Sequence, residues 1–299
     1  MLALAAVTLT GCGSDDGKDD DPLKSGDKPK GGTVVVGSNN FPESILLADI
    51  YGEALKSKGI KVNYKLNIGS RETTYGLIKN GTLTVMPEYN GALLTYLKGK
   101  AKPETDATNT AVKGKLDANL TLLESSEAQD KDAVAVNEET AKKYKLTAES
   151  TLEDLADAAP EMVLGGSPEF QTRHHGLPGL KDEYKLNFKS FKALDAGGPL
   201  TVAALKGNSI QAGNIFSTDP GITKNKFLIL QDPKNLFGIE NVTPLVHKSG
   251  LTDEGIAALN AVSAKLDTET LVKLNSEVQV DNKDPRDVAT SWLASAGLS

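Results

Sequence analysis

Short β-branched runs alternating with helix-length amphipathic stretches are the feature that most restricts what this chain can fold into. Thr33 to Val36 is such a run, followed by the polar loop Ser38-Asn39-Asn40-Phe41 and then Pro42, a residue suited to the first turn of a helix. From Pro42 to about Ser57 the residues Ile45, Leu46, Ala48, Ile50, Ala54 and Leu55 keep helical spacing, and Lys58-Gly59 supplies a stop. Val62, Tyr64 and Leu66 alternate with polar neighbours as in a half-buried strand. A helix is expected through Tyr75 to Lys79, a strand over Leu83 to Met86, and a further helix after Pro87-Glu88-Tyr89-Asn90-Gly91. Strands spaced this way are joined by crossover units, so the first part of the chain predicts an α/β fold with a largely parallel sheet.

After a looser stretch over 98–125 the pattern restarts. Strands are expected at 133–136, 162–164, 210–215, 227–230 and 242–246, and helices at 138–144, from Thr151, and at 200–206. Thr151 and Asp154 have the spacing of a capping box. The chain then ends in three helical segments, 253–265, 268–280 and 285–296. A length of 299 residues accommodates two such α/β halves. With the final helices returning to the first half, we expect two lobes around a cleft: 33–131 plus 243–299, and 132–242, with hinges near 131–136 and 240–245.

The start of the chain reads differently. Met1 to Leu9 is an uncharged apolar run, too short to span a bilayer as a helix, and it precedes Leu9-Thr10-Gly11-Cys12. This order resembles a bacterial lipobox, so residues 1–11 read as a signal peptide and Cys12 as a lipidated anchor. The basic start of a signal peptide is missing, since Lys18 is the first cationic side chain. Gly13 to Gly32 contains six Asp, four Lys, five Gly and two Pro, a composition that cannot bury enough surface to fold and that suits a flexible tether.

Composition removes several function classes. The 33 basic and 40 acidic residues leave a formal charge of −7 with no Lys/Arg block, which argues against a nucleic-acid partner. One Cys and three His provide neither a disulfide framework nor a Cys/His zinc motif, and no metal or cofactor is expected. There is no Gly-x-Ser-x-Gly elbow, no phosphate-binding Gly-x-x-x-x-Gly-Lys-Ser/Thr loop and no His-Glu-x-x-His, so these enzyme chemistries lack their signatures. A binding protein is the expectation.

Five segments narrow it further: Val36-Gly-Ser-Asn-Asn-Phe-Pro-Glu43, Pro87-Glu-Tyr-Asn-Gly91, Pro168-Glu-Phe-Gln-Thr-Arg173, Gly176-Leu-Pro-Gly-Leu180 and Phe216-Ser-Thr-Asp219. In order and spacing they resemble the substrate-binding proteins of osmoprotectant ABC importers, in a variant similar to the actinobacterial branch. The resemblance implies a type II periplasmic-binding-protein fold whose lobes close over glycine betaine, choline, carnitine or proline betaine. It also implies an ABC permease with its ATPase as partner, attachment to the extracytoplasmic face of the membrane through the lipid anchor, and a monomer.

In that family a quaternary ammonium is held by aromatic faces. Of four cage tyrosines, the matching positions here are Tyr89, Asp132, Phe216 and Glu240. For a solute carboxylate the family uses a lysine, a threonine and an arginine, which fall on Asn39, Ala92 and Arg173. Asn40, Arg71, in the loop after a strand, and Thr218 complete the expected ligand contacts. Two ligand readings follow: a cation held by carboxylates, Tyr89 and Phe216 with Arg173 and Arg71 on an anionic end, or a neutral polyhydroxylated or phenolic molecule stacked on the aromatics. A sensor lipoprotein outside a transporter is a further alternative.

Overall fold

A computed structural model describes residues 32–100 and 102–299. Cys12 and the expected signal peptide and tether, up to Lys30-Gly31, lie outside the described residues.

The first sheet contains β1 (Thr33–Gly37), β2 (Lys61–Lys65), β3 (Val85–Tyr89), β4 (Leu120–Leu122) and β10 (Val242–His247), in the order β2-β1-β3-β10-β4. The second contains β5 (Asp132–Val136), β6 (Val163–Gly166), β7 (Ser190–Ala193), β8 (Ala212–Phe216) and β9 (Leu228–Ile229), in the order β7-β6-β8-β5-β9. In each sheet the strand that enters from the other half runs against its neighbours: β10 is antiparallel to β3 and β4, and β5 to β8 and β9. The remaining pairs, β1 with β2 and β3, and β6 with β7 and β8, are parallel, as crossover connections require.

The inner strands β1 and β5 are apolar on both faces because both are covered. Val34 and Val36 of β1 enter one core cluster and Val35 another; in β5, Val134 and Val136 enter one and Ala133 and Ala135 the other. This two-residue alternation, with each face packed on helices, is why the runs read as continuously hydrophobic. Helix α1 (Pro42–Ser57) starts with Phe41 extended and Pro42 in its first turn, and ends where Gly59 takes a φ of 73°. Its Leu46, Leu47, Ile50, Tyr51 and Leu55 are buried, because α9 (Asp253–Ser263), α10 (Thr268–Gln279) and α11 (Pro285–Ser295) return to pack against it. The C-terminal helices therefore complete the first lobe.

The expected looser stretch is more regular than its composition suggests. It holds α4 (Thr105–Lys113) and β4, whose Leu120 and Leu122 are buried beside β10. The third strand is displaced towards its C-terminus, covering Val85–Tyr89 rather than beginning at Leu83. The expected strand at 227–230 contracts to Leu228–Ile229. Helix α6 (Leu177–Tyr184) and strand β7 are present where neither was expected. Thr151 and Asp154 do form the capping box, opening a short 3-10 turn over Leu152–Leu155.

Two segments connect the lobes, 123–131 and 230–241, and they run together. Gln129 and Asn241 form an antiparallel bridge, Asp130 N–H donates to Glu240 O (3.0 Å), and Val242 N–H donates to Ala128 O (3.0 Å).

Candidate functional site

The C-terminal ends of β1 and β3 and the loops after β2 and β6 face one another across these crossings, where open α/β sheets place their ligands. Side chains from both lobes line a cavity of about 60 Å³ there. It is lined by Asn39, Asn40, Arg71, Tyr89, Asp132, Arg173, Phe216 and Glu240, all expected from the sequence. Thr218 is not in that lining. Its hydroxyl donates instead to Glu43 Oε2, 2.5 Å away, in a buried network behind Tyr89.

The aromatic wall consists of Phe41, Tyr89 and Phe216. Ring centroids of Phe41 lie 6.0 Å from Tyr89 and 5.0 Å from Phe216, both pairs tilted. Tyr89 closes β3, and its hydroxyl donates to Glu43 Oε1 at 2.6 Å, which fixes the ring between Glu43 and the cavity. Asn275 of α10 also donates to Glu43, so three donors hold this buried carboxylate; burial raises its pKa, and the three hydrogen bonds act in the opposite direction. Phe41 in the lining and Glu43 behind it were not expected. Their position directly after the Asn39-Asn40 loop at a parallel strand end is the signal that could have found them.

Both arginines are engaged. Arg71 is not in a loop but opens α2 (Arg71–Lys79), and from there it forks onto Glu88: Nε lies 2.9 and 3.1 Å from the two carboxylate oxygens and Nη2 2.9 Å from Oε2. The pair is buried, and Glu88 Oε2 also accepts from Tyr89 N–H at 3.0 Å. Arg173 reaches across the cleft to Glu72 on α2, with Nε to Oε1 at 3.0 Å and Nη2 to Oε2 at 2.7 Å. Partial burial would raise the Glu72 carboxyl, but the hydrogen bonds from Arg173 and Ser70 bring it down to about 2. Arg173 is brought to the cleft by a tight turn: Gly176 packs so closely that a Cβ there would lie 1.9 Å from Phe170 O.

The same cavity has an acidic corner, in which Asp132 neighbours Phe216 on the adjacent strand. Asp132, His175 and Glu240 place one oxygen or nitrogen each within 4.8 Å of one another, and His175 Nδ1 is 3.8 Å from Glu240 Oε1. Asp132 is held by Asn214 Nδ2 at 2.8 Å, and His175 Nε2 meets Thr95 Oγ1 of the first lobe at 2.6 Å. Glu240 is held by its backbone. Gly91 sits so tightly under the returning crossing that a Cβ would lie 2.1 Å from Ile239 O, while Asn90 exchanges hydrogen bonds with Asn241. Burial and the Asp132 charge push the Glu240 carboxyl well above the usual range; burial also raises Asp132. His175 is driven down to about 3 by burial and by Arg71, and is neutral at physiological pH. Glu240 Oε1 is buried without a hydrogen-bond partner among the described residues. Asp130, on the outward crossing, accepts from Thr218 N–H at 3.1 Å; burial, then Glu43, raises its pKa. His175 and Asn214 carried no local sequence signal, because the fold assembles this corner from residues dozens of positions apart.

Known proteins give the arrangement its relatives. Residues 32–295 match the family described as the substrate binding domain of ABC-type glycine betaine transport systems. The glycine betaine-binding protein YehZ of Escherichia coli K12 is 30% identical over 280 residues, covering 88% of this chain and 90% of YehZ. A glycine-betaine-binding protein of Pseudomonas aeruginosa is 27% identical over 273 residues, 87% of each chain. The fold is also that of a solved glycine betaine/carnitine/choline ABC transporter structure, with a TM-score of 0.70 at 24% identity over 89% of this chain and 99% of that one. The chain therefore belongs to the family of substrate-binding domains of ABC-type glycine betaine transport systems.

Proposed function

We propose that this protein captures a small methylated ammonium solute of the betaine, carnitine and choline class in the cavity between its lobes and hands it to an ABC permease. The observation that carries this reading is the cavity itself, which Phe41, Tyr89 and Phe216 line together with the half-buried Asp132 and the buried Glu240. Aromatic faces and carboxylates both attract a cation that has no N–H to donate. The names of relatives agree, including a carnitine transport binding protein of Listeria monocytogenes that is 26% identical over 274 residues.

Solute contacts are assigned to Asn39, Asn40, Tyr89, Asp132, Phe216 and Glu240, with Arg71 and Arg173 shaping the walls. The lobes, 33–131 plus 243–299 and 132–242, move about the paired crossings. A cavity of about 60 Å³ is smaller than the roughly 300 Å³ at which small-molecule pockets begin, so the lobes have to part to admit a solute. Cys12, following the apolar run of residues 1–11, supports lipid anchoring to the extracytoplasmic membrane face through the 12–32 tether. Titration calorimetry with glycine betaine, carnitine and choline tests the reading. Saturable one-site heat with at least one of them, with a matching rise in Tm, is expected; no heat and no Tm rise with any of the three at millimolar concentration would overturn it.

A further inference from the structure

Behind Tyr89, two buried carboxylates meet where the lobes touch. Glu43 belongs to α1 of the first lobe and is 3% exposed; Asp130, on the outward crossing, is 2% exposed. Asp130 stands within hydrogen-bonding reach of Glu43, and one residue of the second lobe holds both acids: the Thr218 hydroxyl donates to Glu43 Oε2 and its N–H to Asp130 Oδ1. Among the described residues the further donors are Tyr89 and Asn275 on Glu43 and Ser217 on Asp130, none of them a cation.

The titratable groups on the surrounding elements do not neutralise the pair. Glu88 of β3 is committed to Arg71, Glu240 on the returning crossing adds negative charge beside Asp130, and Asp219 follows Thr218 close enough to feel Glu43. Helix α10 contributes the uncharged Asn275, and Lys131, next to Asp130 in the chain, is half-buried and acts on Glu240. Burial, followed for Asp130 by the Glu43 charge, raises both carboxyls above their ordinary values. Donors are short here as well. Asn275 is 1% exposed, yet the oxygen of the amide whose Nδ2 holds Glu43 has no hydrogen-bond partner among the described residues, and neither has Asp219 Oδ2. Buried acceptors in this state cost free energy, and a carboxyl proton is a donor that a closed interface gains without admitting water.

We propose that Glu43 and Asp130 form a proton-operated latch: with the lobes together the two acids share one proton, and when the lobes part Thr218 withdraws, water reaches both acids and the proton leaves to solvent. The latch rests on the lobe movement proposed above and not on which solute is held. Closing raises Glu43 above its ordinary 4.5, so closure has the full help of the proton below that value. The help is lost as pH rises towards the closed-state value. Between the two, closing takes up a proton, and the closure constant falls by up to about tenfold per pH unit.

Calorimetry on the whole folded chain near pH 6, in two buffers of different ionisation enthalpy, counts that proton. With the tightest binder among glycine betaine, carnitine and choline, the heats should report uptake of about one proton per solute, and affinity should weaken by up to about tenfold on raising the pH by one unit. Glu43→Gln and, separately, Asp130→Asn keep the shape and remove the shared proton, so uptake should vanish and affinity become nearly independent of pH. Buffer-independent heats in the wild type, or uptake retained by a folded variant, would overturn the latch while leaving solute capture intact. If none of the three solutes binds, capture fails by itself, and small-angle scattering from the free chain decides the latch. A smaller radius of gyration at about pH 5 than at about pH 8 is expected, and equal radii would overturn it.

Discussion

Tyr89 shows how one side chain serves both the fold and the site. Its ring lines the cavity, while its hydroxyl is one of three donors to the buried Glu43 carboxylate. Tyr89→Phe removes a donor and keeps the ring, so stability should fall by about 1 kcal/mol with solute affinity nearly unchanged. Tyr89→Ala removes the ring too, and affinity for a trimethylammonium solute should fall by roughly 2- to 30-fold, the worth of one cation–π face. Thermal melts and calorimetry on the two variants separate these roles, and an Ala variant that binds like the wild type would remove Tyr89 from the site. Tyr89, Phe216 and Arg173 were legible because each sits in a recognisable short motif. The partners were not: Arg173 has Glu169 and Asp182 nearby in sequence, yet it pairs with Glu72, which only the apposition of two lobes brings near.

At the scale of elements, the strand-helix order was readable because strands buried on both faces produce unbroken apolar runs, as Val34 to Val36 and Ala133 to Val136 do. Elements with weaker patterns were harder to see. β7 is mostly exposed, and α4 buries little beyond Thr108 and Val112, so neither leaves a strong periodic trace. The junction of β3 with α3 (Asn90–Tyr96) depends on close approach rather than periodicity. Gly91 lies against the carbonyl of Ile239, and this contact sets Glu240 in place. Gly91→Ala forces the crossing outwards, with an expected loss of about 1–3 kcal/mol in stability and a weaker solute affinity. At Gly76 in α2 a Cβ would meet open space, with no heavy atom within 4 Å, so Gly76→Ala is the control, expected to stabilise the helix slightly without changing binding. A Gly91→Ala protein with wild-type Tm and affinity would show that Glu240 is held by something other than this contact.

Across the whole molecule, the polar links that join the lobes around the cavity include Arg173 to Glu72, His175 to Thr95, and Thr218 to Glu43. The first lies at the rim and is partly exposed, so it is worth no more than about 0.2–1 kcal/mol of closure. Because pairing lowers the Glu72 pKa to about 2 from 4.5, its contribution is complete above the ordinary carboxylate value and disappears as pH falls towards 2; closure owes no pH dependence to this pair near neutral pH. The other two links are more deeply buried, and parting the lobes exposes their groups to water, which compensates the lost hydrogen bonds. Contacts of this size allow a solute that touches both lobes to tip the balance towards closure. Small-angle X-ray scattering at neutral pH, with and without the tightest-binding solute, measures that closure directly. A larger radius of gyration is expected for the free protein, falling at saturation to the value calculated from the structure with its lobes together; a radius of gyration unchanged by a saturating, tightly bound solute would contradict capture by closure.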